Sequence, residues 1–310
     1  MRLALLLALV ASLAAVPSGG AAERAPAVPR LLLGVLGNPD RFDSITGHRS
    51  SVHHVIMGFG QSSGVRATRA DRIPLWGFSM RGYTARQIAN GAGDGFLASL
   101  NQAAAAAPGR VYIRPWGEMN GHWNDYCAFN RDGSSRGPER STASFKKAFA
   151  RAYLIVHGAQ DANARLRKLG LPPVTVPLVP APFPRVRVIW NPQGYGSPNI
   201  PGNSSAAYYP GDAFVDVVGN DLYNIRFKAE WAAADALYRA HPSKPYAFAE
   251  WANWGVDDPS FIRRMAEFAK THPRLELLVY YNGNQGSEFD LAARPRSRSA
   301  YRRLIVPLGR

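Results

Sequence analysis

From about residue 31 onward, apolar β-branched runs alternate with amphipathic helical stretches, and few folds accept that pattern. Such alternation argues for parallel strands joined by helices that cover the sheet. Candidate strands lie at Leu31–Val35, His54–Phe59, Ile73–Phe78, Val111–Trp116, Val186–Trp190, Phe214–Gly219, Tyr246–Glu250 and Leu275–Tyr281. Eight strands with intervening helices is the count of a single α/β domain, the (β/α)8 TIM barrel, which takes about 250 residues. A chain of 310 residues is long enough for one.

The helices have recognisable ends. Ser141 and Thr142 can cap a long helix predicted to run towards Leu169, with Phe145, Phe149, Ala152 and Val156 on one face and Gly170 as its stop. Asp258-Pro259 is a cap followed by proline in the first turn, and Phe261, Met265 and Phe268 supply the buried stripe. The segment from Phe227 to Arg239 places Trp231, Ala234 and Leu237 in the same way. Two irregular segments, Gly117–Arg140 and Asn191–Gly211, follow the fourth and fifth strands. They leave the C-terminal strand ends, where a barrel carries its active-site loops. The Pro-rich stretch Leu171–Pro184 enters the fifth strand from the opposite face and reads as a stiff connector.

Residues 1–22 read as an export signal. Arg2 is followed by an uncharged apolar run from Leu3 to Val16, then by small residues ending in Gly20-Ala21-Ala22. The run is short for a membrane span. The expectation is a secreted protein without stable membrane insertion, whose residues 23–310 form one catalytic barrel. The single cysteine, Cys127, excludes an internal disulfide. The formal charge of +15 could serve nucleic acid. No helix-turn-helix, zinc-finger or RNP pattern accompanies it, so no nucleic-acid partner is expected. An anionic glycan or a negatively charged cell envelope suits an exported protein better. A monomer is expected.

The chemistry concentrates at two strand ends. Val111-Tyr112-Ile113-Arg114-Pro115-Trp116 runs into Gly117-Glu118-Met119-Asn120-Gly121-His122-Trp123. An arginine at a strand end can hold carboxylates by charge-assisted hydrogen bonds. Trp116 and Trp123 can stack on the apolar face of a sugar. Pro245-Tyr246-Ala247-Phe248-Ala249-Glu250-Trp251 is a second apolar strand that ends in a glutamate beside an aromatic. Strand ends of a closed barrel share one mouth, so Glu118 and Glu250 can meet there. Two carboxyl groups at one mouth suit glycoside hydrolysis, one protonated for the leaving oxygen and one ionised to attack. The adjacent His53 and His54 face opposite sides of a strand and make a poor metal pair. No metal or cofactor is expected.

The stretch Arg114–Trp123 resembles the strand-four motif of glycoside hydrolase family 26, which contains β-mannanases, some β-1,3-xylanases and mixed-linkage glucanases. Val188-Ile189-Trp190-Asn191-Pro192 is similar to its strand five. Tyr208-Tyr209-Pro210-Gly211-Asp212, Val215–Gly219 and Asp221-Leu222-Tyr223-Asn224 resemble its strand-six block, and Ala249-Glu250-Trp251 its nucleophile strand. The likeness spans most of residues 31–305. It implies a retaining hydrolase with Glu118 as acid/base and Glu250 as nucleophile. It further implies that Arg114 orients the nucleophile, Tyr223 hydrogen-bonds to it, and Trp123 lines the sugar channel. Trp190 and Asn191 would sit at the mouth. Asn120, Trp251 and, after strand eight, Tyr281 complete the expected substrate-binding set. The family usually has histidine where this chain has Gly117, and a tryptophan beyond Trp123 for which Tyr126 stands in. These departures imply a divergent member with an altered substrate. Mannan, β-1,3-xylan, mixed-linkage β-glucan and an anionic exopolysaccharide are the candidate polymers. A barrel that binds polysaccharide without cleaving it is the alternative.

Overall fold

The computed structural model describes residues 31–181 and 185–310. The predicted export segment lies outside the described residues. Eight parallel strands close into a barrel in chain order. They are β1 (Leu32–Gly37), β2 (Val52–Gly58), β3 (Ile73–Ser79), β4 (Val111–Pro115), β5 (Val186–Trp190), β6 (Val217–Ile225), β7 (Tyr246–Trp254) and β8 (Leu275–Asn282). Pairing of β1 with β8, for example Leu33 with Leu278, completes the closure. The fold is the expected TIM barrel.

Alternation along each strand sorts the side chains into two cores. Leu32, Val52, Leu75, Tyr112, Ile189, Val217, Ala247, Leu277 and Val279 fill the barrel interior. The larger cluster lies between sheet and helices and includes Val35, Trp76, Ile113, Phe145, Phe149, Phe248 and Met265. His54 belongs to the inward series of β2, whereas the His53 ring accepts a hydrogen bond from the Arg69 backbone N–H outside it. Among the described residues no helix is long and apolar enough to cross a membrane.

Two sequence expectations need correction. The long helix after Ser141 is divided into Thr142–Val156 and Ala162–Lys168. Gly158 breaks it with φ of 58°, and the Val179 carbonyl of the Pro-rich connector occupies the place of any Cβ there. Helical spacing alone cannot see a strap that crosses from elsewhere in the chain. Strand six starts later than expected and runs further. Asp212–Phe214 is a 3-10 turn, and the strand extends through Tyr223 to Ile225. The Asp258-Pro259 start is as read, with Asp258 accepting from the Ser260 backbone N–H at 2.9 Å.

Candidate active site

Asp221 on β6 and Glu250 on β7 converge on Arg114, the penultimate residue of β4. The Arg114 guanidinium donates from Nη1 to Glu250 Oε1 and from Nη2 to Asp221 Oδ2. All three side chains are almost completely buried. Burial opposes the arginine's charge, but Asp221 and Glu250 outweigh it and raise its pKa. Tyr223 lies two positions beyond Asp221 on the same face of β6 and donates its hydroxyl to Glu250 Oε2 at 2.6 Å. Both oxygens of Glu250 are therefore fixed.

Glu250 reaches the mouth because β7 is irregular. Ala247 points into the barrel, so strict alternation would turn Glu250 outward. Phe248 pairs with Asn220 but Glu250 pairs with the next residue, Asp221, leaving Ala249 as an extra residue. The same excess appears against β8, where Phe248 faces Leu278 and Trp251 faces Tyr280. Such a bulge re-aims every side chain beyond it. Glu250 turns inward and Trp251 turns out.

Glu118 is set by the loop after β4. Trp116 and Glu118 both adopt left-handed backbone, with φ of 51° and 56°, at a cost on the order of 1–3 kcal/mol each. The strained turn sends the indole of Trp116 outward and the carboxyl group of Glu118 towards the mouth. Gln193 donates to Glu118 Oε1 at 2.7 Å and the Trp123 indole N–H to Oε2 at 2.9 Å. Burial raises the pKa of Glu118, the negative charge of Glu250 adds to the rise, and the Gln193 bond only partly opposes them. Trp123 lies across Gly121, where any Cβ would overlap the indole. Its ring is 51% exposed, so one face is free.

Asn120 joins the two long loops. Its carboxamide donates to the Gln193 carbonyl at 2.9 Å and accepts from the Gln193 backbone N–H at 2.9 Å. It is fully buried, so it positions Gln193 instead of touching a ligand. Ser197 bonds through its backbone to Asn120 and His122 and closes the same seam. Tyr126, expected to supply an aromatic surface, is buried and donates to the Gly117 carbonyl at 2.7 Å.

Three tryptophans assigned to the substrate are core residues. Trp116, Trp190 and Trp251 have no exposed surface. Trp116 packs edge-on against Phe78, Phe145 and Phe149. Trp190 packs on Tyr209 and His241. Trp251 stacks on Tyr301. A buried indole has no face for a sugar. Each occupies an outward position of its strand or strand end, and the helices cover it. Asn191 is also fully buried, wedged over Gly219 beside Asp221, so it supports the floor of the mouth. Tyr281 follows Val279 in the inward series of β8, half-exposed and stacked on Phe289 at 4.4 Å.

The structure thus brings together Arg114, Glu118, Trp123, Tyr223, Glu250 and Tyr281. Sequence reasoning missed Gln193, Asp221, Trp254 and Phe289 as members of this surface. Asp221 had a signal, a carboxylate two residues before Tyr223 in an otherwise buried strand. Gln193 had none, because only Asn120 aims it.

Gly117 is required by this geometry. A Cβ there would overlap the Arg114 guanidinium, which is pinned by two carboxylates. Gly117→Ala is therefore expected to displace Arg114, lowering stability by about 1–3 kcal/mol. Thermal unfolding together with kcat/KM measures this. An unchanged Tm and rate would show that the arginine has room to move.

No protein-family profile matches the sequence, and no curated protein matches it. The backbone is similar to solved structures. One is the Bacillus subtilis mannanase BCman, at TM-score 0.57 and 16% identity, covering 90% of this chain and 86% of that one. Another is a GH26 β-mannanase from Bacteroides ovatus, BoMan26A, at TM-score 0.55 and 16% identity, covering 88% of both. The GH26 domain of a Prevotella bryantii endo-β-mannanase/endo-β-glucanase gives 0.54 and 13%, covering 89% and 88%. At these identities the likeness establishes the shared barrel.

Proposed function

We propose that this chain is a retaining glycoside hydrolase of β-linked polysaccharides, a divergent relative of family 26. The observation that carries the reading is the unequal treatment of two glutamates at one barrel mouth. Glu250 is held by a guanidinium and a phenol and is aimed as a nucleophile. Burial and the negative charge of Glu250 raise the pKa of Glu118, which suits it to give a proton. That division of labour is what double displacement needs.

In the first step Glu250 Oε attacks the anomeric carbon, and the bond to the leaving oxygen breaks. Glu118 passes its proton to that oxygen. Charge leaves Glu250 as the glycosyl ester forms, which removes the part of the rise in the pKa of Glu118 that its charge added to burial. Glu118 then acts as base on water, whose oxygen attacks the anomeric carbon and releases Glu250. Arg114 and Tyr223 receive the carboxylate again without reorganisation. Trp123 offers its free face to a sugar ring while its N–H orients Glu118.

The mannanase neighbours make mannan the first polymer to test. The place of the family's histidine is filled here by Arg114 over Gly117, which supports a changed preference at the cleavage point. Export through residues 1–22 and a single catalytic domain over 23–310 belong to the same proposal. The test is a screen on mannan, β-1,3-xylan, mixed-linkage β-glucan and an acidic exopolysaccharide, with products followed by mass and by NMR. Cleavage of one of them, with the β-anomer appearing first, is the expected result. First appearance of the α-anomer would refute the retaining mechanism. Binding of every polymer without cleavage would make the barrel a lectin-like binder.

A further inference from the structure

The β6 strand ends in a turn that the fold does not need in its present form. Ile225 and Lys228 exchange both backbone hydrogen bonds, at 2.9 and 3.0 Å, around Arg226 and Phe227. The two central residues have φ of 51° and 64°, the type I′ geometry that Asn-Gly or Gly-Gly normally supplies. Arginine and phenylalanine are poorly suited to left-handed backbone, and the strain has no packing return. Phe227 is 66% exposed and has no ring contact among the described residues.

The turn borders the mouth. Ile225 pairs with Trp254 across β6 and β7, each a few residues beyond Tyr223 and Glu250. The Trp254 ring lies 5.6 Å from Tyr223 and 4.8 Å from Phe289, and its N–H is held by Glu288. Ile225 and Trp254 are 46% and 39% exposed. Ile225 and Trp254 thus carry exposed apolar surface from the carboxylates outward to the turn that bears Phe227. This surface adjoins the cleft, so the occupant argued for it is the same polysaccharide strand.

We infer that the Arg226-Phe227 turn is a rigid outer sugar-binding rim, on which Phe227 and Trp254 take a sugar ring of the polymer away from the bond being cleaved. The inference rests on the reading of the mouth as a polysaccharide site. The paired Ile225 and Lys228 hydrogen bonds fix the backbone that carries Phe227, so little backbone freedom is lost when a ring lands on it.

Phe227→Gly removes the ring and suits the turn, while Phe227→Tyr keeps the ring. Wild type and both variants are assayed on the polymer cleaved fastest in the screen and on a one-ring aryl glycoside of its sugar. F227G is expected to lose about tenfold in kcat/KM on the polymer, as loss of an aromatic anchor does. Its rate on the aryl glycoside should not change, its Tm should not fall, and F227Y should match wild type. Equal polymer rates in F227G and wild type, or equal losses on both substrates, would overturn the rim. A wild type that cleaves none of the polymers defeats the hydrolase reading instead. Electrophoresis through gels containing each polymer then reads the rim alone. Retardation of wild type but not F227G supports it, and identical migration overturns it.

Discussion

Glu250→Ala is expected to abolish polysaccharide hydrolysis, by about four orders of magnitude or more, as deletion of a nucleophile does. The fold should survive. Arg114 holds two buried carboxylates, so removing one leaves a balanced pair with Asp221. Tyr223 loses an acceptor near solvent, where water can replace it. Azide should restore turnover of an activated aryl glycoside in this variant and give the α-glycosyl azide, because it attacks from the face that Glu250 used. In Glu118→Ala the glycosyl ester still forms from the same substrate, and azide should give the β-product. The anomer of the azide, read by NMR, assigns the two roles independently. The same product from both variants would disprove the assignment.

Arg114→Met should be the most damaging single change to stability. It leaves Asp221 and Glu250 buried together without a counter-charge, a situation that costs about 3–5 kcal/mol. The loss should depend on pH with a definite sign. Burial already raises the pKa of Asp221, and Arg114 is the main group opposing that rise. Without the arginine the folded-state pKa moves further above the unfolded value. The folded protein then binds the proton more tightly than the unfolded chain. The penalty is greatest above the folded-state pKa and shrinks as pH falls towards the ordinary carboxylate range. Denaturant unfolding of wild type and variant at several pH values measures the difference. A penalty independent of pH would mean that lost packing, not uncompensated charge, is responsible.

Much of this was legible in the chain. The eight apolar runs set the barrel, and Arg114, Glu118 and Glu250 stood out as charged residues at the ends of buried strands. Aromatic residues were harder to place. Trp116, Trp123, Trp190 and Trp251 all neighbour site residues, yet only Trp123 keeps a free face. Composition gives no sign of the difference, because an indole suits a core as well as a sugar. Asn120 and Gly117 also changed meaning. Both lie within the motif, and both act through a neighbour: Asn120 through Gln193 and Gly117 through Arg114.

The sequence by itself determined the strand count, the order of strands and the identity of the paired glutamates, because these follow from local patterns of period and polarity. Only the tertiary structure decided which way the end of β7 faces. Alternation counted from Ala247 aims Glu250 at the helices and Trp251 at the mouth. The extra residue at Ala249 reverses both. A bulge is a mismatch between neighbouring strands, so it exists only once β6 and β8 have paired with β7, and no reading of one strand alone contains it.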